Sequence, residues 1–74
     1  MQIEVKLFAS LRDGRFRREI MEFPDAATVS DVLHRLSIPP DEVGVQLLNG
    51  ERVPGEQPLQ SGDALSLFPF AAGG

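Results

Sequence analysis

A single amphipathic helix, set between strand-like segments, constrains the fold more than any other feature of this sequence. The segment from residue 29 to residue 36 carries apolar residues at i, i+3, i+4 and i+7, which together form one face of a helix. Thr28 followed by Asp31 resembles a capping box, and Pro39 and Pro40 end the helix because neither has an N–H to donate. One short helix covers one side of one sheet, so the other elements are predicted to form that sheet.

Strand signals surround the helix on both sides. Residues 2–8 alternate between apolar and polar side chains, the pattern of a half-buried strand. Asn49 followed by Gly50 is a strong hairpin signal, and Gly62 can supply the positive φ of a tight turn. The predicted strands are residues 2–8, 15–23, 43–48, 51–53 and 64–70.

Two opening strands, one helix and three closing strands predict an α+β fold, a mixed sheet of about five strands with the main helix on one face. The last strand is expected to lie parallel to the first, in the middle of the sheet. A chain of 74 residues allows one domain with a thin core. We therefore expect a folded domain over residues 1–70 and a flexible tail over residues 71–74.

Composition excludes several classes of function. A formal charge of −4 disfavours non-specific binding to nucleic acid or to an anionic membrane. Cysteine is absent, which rules out disulfides, thiolate nucleophiles and cysteine metal sites. The segment after Met1 has neither the form of a signal peptide nor the length of a membrane span. We expect a cytoplasmic protein with no metal site.

Basic residues cluster in the hairpin that strands 2–8 and 15–23 are predicted to form, where acidic residues are interspersed among them. The cluster consists of Arg12, Arg15, Arg17 and Arg18. Such a cluster is more often a solvated hairpin than a phosphate-binding stripe, and if it does bind a partner, an acidic protein surface is favoured over DNA. His34, on the polar side of the helix, is assigned no role.

Aromatic side chains are predicted on the side of the sheet that the helix leaves open. Phe8 ends the polar face of strand one, and Phe68 and Phe70 fall on the outward face of the last strand. Neighbouring exposed apolar residues on a small protein usually mark a binding surface. We expect these rings to contribute to a docking face.

Four stretches of the sequence, together covering most of it, resemble one known family. They are LFASLRD after strand one, TVSDVLHRL in the helix, LLNGERV in the hairpin, and SGDALSLFPFAAGG at the end. The chain resembles the ubiquitin-like β-grasp sulfur carriers, which include the molybdopterin synthase small subunit (MoaD) and the thiamin sulfur carrier (ThiS). LFASLRD and the Phe68-Pro69 step are closer to the MoaD branch. That branch often has two prolines and a valine before its glycines, and this chain has Phe70 at the second-proline position and Ala71 at the valine position.

The resemblance implies that the C-terminal carboxylate of Gly74 is the reacting group. In the family, an E1-like adenylyltransferase of the MoeB/ThiF type uses Mg-ATP to adenylate this carboxylate, and a sulfurtransferase then supplies the sulfur of a thiocarboxylate. The protein would be a carrier and not an enzyme, and would hold no cofactor stably. Glycine suits a narrow active site because it has no side chain. The residues expected to contact partners are Gly73, Ala72, Ala71, Phe70, Phe68 and Phe8.

The resemblance also implies an acceptor of the sulfur. In the MoaD branch this is the large subunit of molybdopterin synthase (MoaE type), whose non-catalytic small subunit this chain would be. In the ThiS branch it is thiazole synthase. Two further alternatives are a protein modifier, whose terminal glycine forms isopeptide bonds with lysines, and a plain interaction module.

Overall fold

The structure is a computed structural model that describes residues 1–70. The predicted order of strand, strand, helix and three strands is confirmed. The elements are β1 (Gln2–Leu7), β2 (Arg18–Glu22), α1 (Val29–Arg35), β3 (Val43–Leu48), β4 (Glu51–Arg52) and β5 (Ala64–Pro69), with 3₁₀ turns at Ala9–Arg12 and Pro40–Glu42. The predicted tail, residues 71–74, lies outside the described residues.

The five strands form one mixed sheet in the order β2-β1-β5-β3-β4. As predicted, β1 pairs antiparallel with β2 and parallel with β5, which is the middle strand. Since parallel strands end at the same edge of a sheet, the residue after β1 lies beside the end of β5. The Phe8 N–H accordingly donates to the Leu67 carbonyl at 3.1 Å.

The core lies between one face of the sheet and α1. Alternation places every second residue of β1 and β5 on this face, while the helix contributes its apolar stripe. Each of these large side chains contributes about 1.5–3 kcal/mol through burial. The fully buried side chains are Ile3, Val5, Leu7, Val29, Val32, Leu65 and Leu67.

Local signals set both ends of α1. The Thr28 side chain accepts a hydrogen bond from the Asp31 N–H, and the Asp31 carboxylate accepts one from the Thr28 N–H at 2.7 Å, which confirms the capping box. The helix ends at Arg35 with Leu36 as its C-cap, close to the predicted boundary. Ser37 follows with a φ of 56°, so the chain reverses before the two prolines.

Strand two begins at Arg18 and not at residue 15. Arg15 precedes the strand and contacts the end of α1. Its guanidinium donates to the carbonyls of Leu11, Leu36 and Ser37 at 3.1–3.2 Å. The bonds to Leu36 and Ser37 satisfy carbonyl groups at the end of α1 that have no partner within the helix. The interpretation of all four arginines as a solvated hairpin is therefore wrong for Arg15, which fastens the hairpin to the helix.

The hairpin between β3 and β4 turns at Asn49 and Gly50, which have φ of 53° and 88°. The Asn49 amide also donates to the Asp63 carboxylate, and its oxygen accepts from the Ala64 N–H, both at 2.9 Å. Asn49 therefore makes the turn and also fastens it to the start of β5.

We predict that Thr28→Ala lowers the free energy of unfolding by about 1 kcal/mol, because the Asp31 N–H loses its side-chain acceptor at the start of α1. Urea unfolding followed by circular dichroism measures the change. Thr28→Ser, which keeps the hydroxyl, is the control and should stay close to the original protein. Equal stability of the alanine and serine variants would contradict the capping argument.

Candidate functional site

The structure brings Phe8 and Phe68 together on the sheet face opposite α1, as predicted. Their ring centroids are 4.2 Å apart and their planes differ by 14°, so the rings are stacked. Both side chains are half-buried. Their contact follows from alternation: Leu7 and Leu67 point into the core, and the next residue of each chain segment points the other way.

Two apolar residues of β3 join this face, and the sequence interpretation missed them. Val45 pairs with Phe68, and Leu47 pairs with Ser66. Cross-strand partners lie on the same side of a sheet, and both Val45 and Leu47 are half-buried. The prediction for residues 43–48 gives a strand without assigning its two faces. Its alternation of Val45 and Leu47 with Gln46 was the available signal.

Phe70 lies one residue beyond the end of β5 and is 63% exposed. It follows the Phe8–Phe68 stack along the chain and leads into the predicted tail, residues 71–74, which we call the arm. Its expected role in partner binding stays a prediction. The other expected partner contacts, Ala71, Ala72 and Gly73, and Gly74, the residue predicted to react, lie outside the described residues.

Basic side chains border the aromatic pair. Arg12 donates from Nε to the Leu7 carbonyl at 2.7 Å, and its Cζ lies 5.4 Å from the centre of the Phe8 ring. This bond holds the cation beside the ring. An open depression around Phe8 is lined by the basic residues Lys6, Arg12, Arg17 and Arg18, which we call the basic rim.

One carboxylate partly balances the basic rim. Glu4 forms ion pairs with Lys6, at 3.9 Å, and with Arg18. Arg17 is exposed, and within residues 1–70 its side chain makes no hydrogen bond or ion pair. Four cations and one carboxylate leave this end of the face positive, on a protein whose formal charge is −4. The rim therefore favours an acidic counterpart.

Neither a metal site nor a membrane span is found in the part of the chain that the structure describes. No group of three or more histidine, aspartate or glutamate side chains there could hold a metal ion. No helix among those residues is long and apolar enough to cross a membrane.

A five-stranded mixed sheet with a central parallel pair and one helix across it is the ubiquitin-like β-grasp fold. The sequence matches the ThiS family over residues 5–74, so the chain belongs to this family of small ubiquitin-like sulfur carriers. The match covers nearly the whole chain and includes its glycine pair. No curated protein matches the sequence.

Solved structures agree with this fold. SAMP1 from Haloferax volcanii, a small archaeal modifier protein, is 30% identical with a TM-score of 0.79, and the match covers 100% of both chains. A putative molybdopterin converting factor subunit 1 from Pyrococcus furiosus is 24% identical with a TM-score of 0.77, covering 96% of this chain and 99% of that one.

A third neighbour was solved together with a second protein. It belongs to a complex of subunits 1 and 2 of the molybdopterin-converting factor from Helicobacter pylori, and it is 22% identical with a TM-score of 0.67 over 100% of both chains. At 24% and 22% identity, the similarity to the Pyrococcus and Helicobacter proteins establishes the fold alone.

We predict that Phe8→Ala lowers the free energy of unfolding less than a core truncation does, since it removes a half-buried ring whose stacking contributes about 0.5–1.5 kcal/mol beyond the area it buries. Leu65→Ala, in the fully buried core, should cost about 2–5 kcal/mol. Urea unfolding of both variants measures the difference. Equal losses would mean that Phe8 belongs to the core and not to a surface.

Proposed function

We propose that this protein is a sulfur carrier whose Gly74 carboxylate is converted to a thiocarboxylate that donates sulfur in cofactor biosynthesis. The observation that carries the proposal is the family match, which extends through the glycine pair at residues 73 and 74. The fold supports it, because the parallel pairing of β1 and β5 places the aromatic pair beside the end of the strand that leads into the arm.

The chemistry requires activation by a partner. A carboxylate oxygen of Gly74 attacks the α-phosphorus of ATP, pyrophosphate leaves, and an acyl-adenylate forms in an E1-like adenylyltransferase that holds Mg-ATP. The outer sulfur of a persulfide on a sulfurtransferase then attacks the carbonyl carbon, AMP leaves, and a thiol reductant cleaves the S–S bond of the acyl disulfide that has formed. The product is the thiocarboxylate. The carrier supplies only the reacting group, which agrees with its lack of cysteine.

Docking of the sheet face would offset the cost of ordering the arm. Fixing residues 71–74 in a partner's active site costs about 1–2 kcal/mol per residue in backbone entropy. The open face offers apolar surface from Phe8, Phe68, Val45 and Leu47, all held by the sheet before binding. A rigid apolar surface loses little entropy when it binds.

We further propose molybdopterin synthase as the acceptor, with a large subunit of the MoaE type as the partner that receives the arm. The likeness to molybdopterin-converting factor subunit 1, which in Helicobacter pylori forms a complex with subunit 2, supports this branch. The Phe68-Pro69 step supports it as well. Thiazole synthase is the alternative acceptor.

We predict that the protein gains the mass difference of one oxygen replaced by one sulfur when it is incubated with an E1-like enzyme, Mg-ATP and a sulfur donor. Intact-mass and terminal-peptide spectrometry locate the change on Gly74. A variant without Gly74, and a variant with one residue added after it, should show no gain, because the reacting carboxylate is displaced. An unchanged mass of the original protein across MoeB-type and ThiF-type enzymes would overturn the proposal.

A protein modifier is the second candidate, favoured by the 30% identity to SAMP1 over the full length of both chains. The activation step is the same, and the outcome differs in the nucleophile, which is a lysine amine. The same reaction, run with a cell extract of the host and examined on denaturing gels, separates the two functions. Adducts of higher mass that need Gly74 support a modifier, while a thiocarboxylate without adducts supports the carrier alone.

We predict that Arg17→Glu slows association with the activating enzyme several-fold at low salt, because it reverses a charge of the basic rim that faces an acidic partner. Stopped-flow association rates at low and high salt measure the effect, which should shrink as salt rises. Arg35→Glu, on α1 at the opposite side of the sheet, makes the same change in net charge and is the control. Equal slowing by both variants would contradict a local role for the rim.

A further inference from the structure

Strand β3 contains one residue more than β5 opposite it, at the point where β5 ends. Val45 pairs with Phe68 and Val43 pairs with Pro69, so Gly44 is the extra residue of a β-bulge. A bulge bends its strand and locally disrupts the ladder. Pro69 has no N–H to donate, so it can take part in the ladder only as an acceptor.

Gly44 touches the backbone of the departing chain. A Cβ atom added at Gly44 would lie 2.9 Å from the Pro69 carbonyl oxygen and 3.0 Å from both the nitrogen and the Cα of Phe70. The first of these distances is shorter than real Cβ contacts, and the atoms involved are main-chain atoms that no rotamer change can move. The Pro69–Phe70 peptide therefore lies directly against the bare Cα of Gly44.

Position 44 requires glycine because a side chain would not fit there, and not because the backbone has a positive φ. The glycines with positive φ are 14, 50 and 62, and Gly44 is not among them. Gly55 also has an ordinary φ, but its added Cβ would meet the Ser30 hydroxyl oxygen, at 2.6 Å, which can rotate away. Gly44 alone of these glycines meets the backbone that leads to the arm.

We propose that Gly44 is a positioning residue that sets the direction in which the chain leaves β5, and thereby aims Gly74 into the activating enzyme. The inference rests on the proposed function and adds a residue of β3 to it. The contact acts on Phe70, four residues before the reacting carboxylate, while Phe8 and Phe68 are held by the β1–β5 pairing. Gly44 therefore governs delivery of the arm, and the sheet face governs docking.

The experiment compares Gly44→Ala with Gly55→Ala, which makes the same chemical change where the added methyl group meets Ser30 and not Phe70. The original protein is tested first, by pyrophosphate release with an E1-like enzyme that activates it. We expect Gly44→Ala to lower kcat by about tenfold to a hundredfold, the cost of a misplacement on the order of 1 Å. The Kd for the enzyme and the activity of Gly55→Ala should stay unchanged.

Two-dimensional NMR shows whether the variant folds and where it changes. We expect the amide signal of Phe70 to move in Gly44→Ala, and the signals of Phe8 and β2 to stay in place. Widespread changes, with kcat and Kd impaired together, would overturn the inference, because Gly44 would then be a general structural residue. A kcat equal to that of the original protein would overturn it too.

A second measurement isolates the backbone contact from the Phe70 ring. The effect of Gly44→Ala is measured in the Phe70→Ala and Phe70→Gly backgrounds, both of which lack the ring. Glycine at position 70 can adopt backbone conformations that alanine cannot. The loss of kcat caused by Gly44→Ala should therefore be smaller in the Phe70→Gly background than in the Phe70→Ala background. Equal losses in both backgrounds would show that Gly44 does not act through the residue 70 backbone.

If the original protein releases no pyrophosphate with any E1-like enzyme, the proposed function fails. If the original protein is activated and Gly44→Ala is activated equally well, only the inference about Gly44 fails.

Discussion

The parallel pairing of β1 with β5 is the interaction on which the rest of the structure depends. It places β5 between β1 and β3, and its register sets Leu7 beside Leu67 in the core. The same register stacks Phe8 on Phe68 across the opposite face. One ladder thus defines both the buried face that holds α1 and the open face beside the end of β5.

Much of this fold could be predicted from local sequence, because the signals act over a few residues. The capping box of Thr28 and Asp31, the alternation in β1 and the turn at Asn49-Gly50 each indicate their element without knowledge of distant contacts. The Phe8–Phe68 contact could be predicted as well, since it follows from alternation once the two strands are taken as neighbours.

The rest depended on contacts between distant residues. Arg15 bonds to carbonyls at the end of α1, about twenty residues further along the chain, and a local pattern cannot show this. The placement of Val45 and Leu47 needed the register of β3 against β5. Gly44 has no signal in the sequence at all, because its importance lies in what a methyl group there would strike. The chemistry proposed for Gly74 is inferred from family membership.

The central position of β5 also has a mechanical consequence. A partner that grips the arm pulls on Phe70 along the direction of the strand, while the hydrogen bonds to β1 and β3 run across it. Such a force loads both ladders in shear, so many hydrogen bonds must break at the same time. In an edge strand that is peeled away, the hydrogen bonds break one after another. The bonds from Asn49 to Asp63 and Ala64 secure the other end. This arrangement resists a pull on the end of β5 better than an edge strand would.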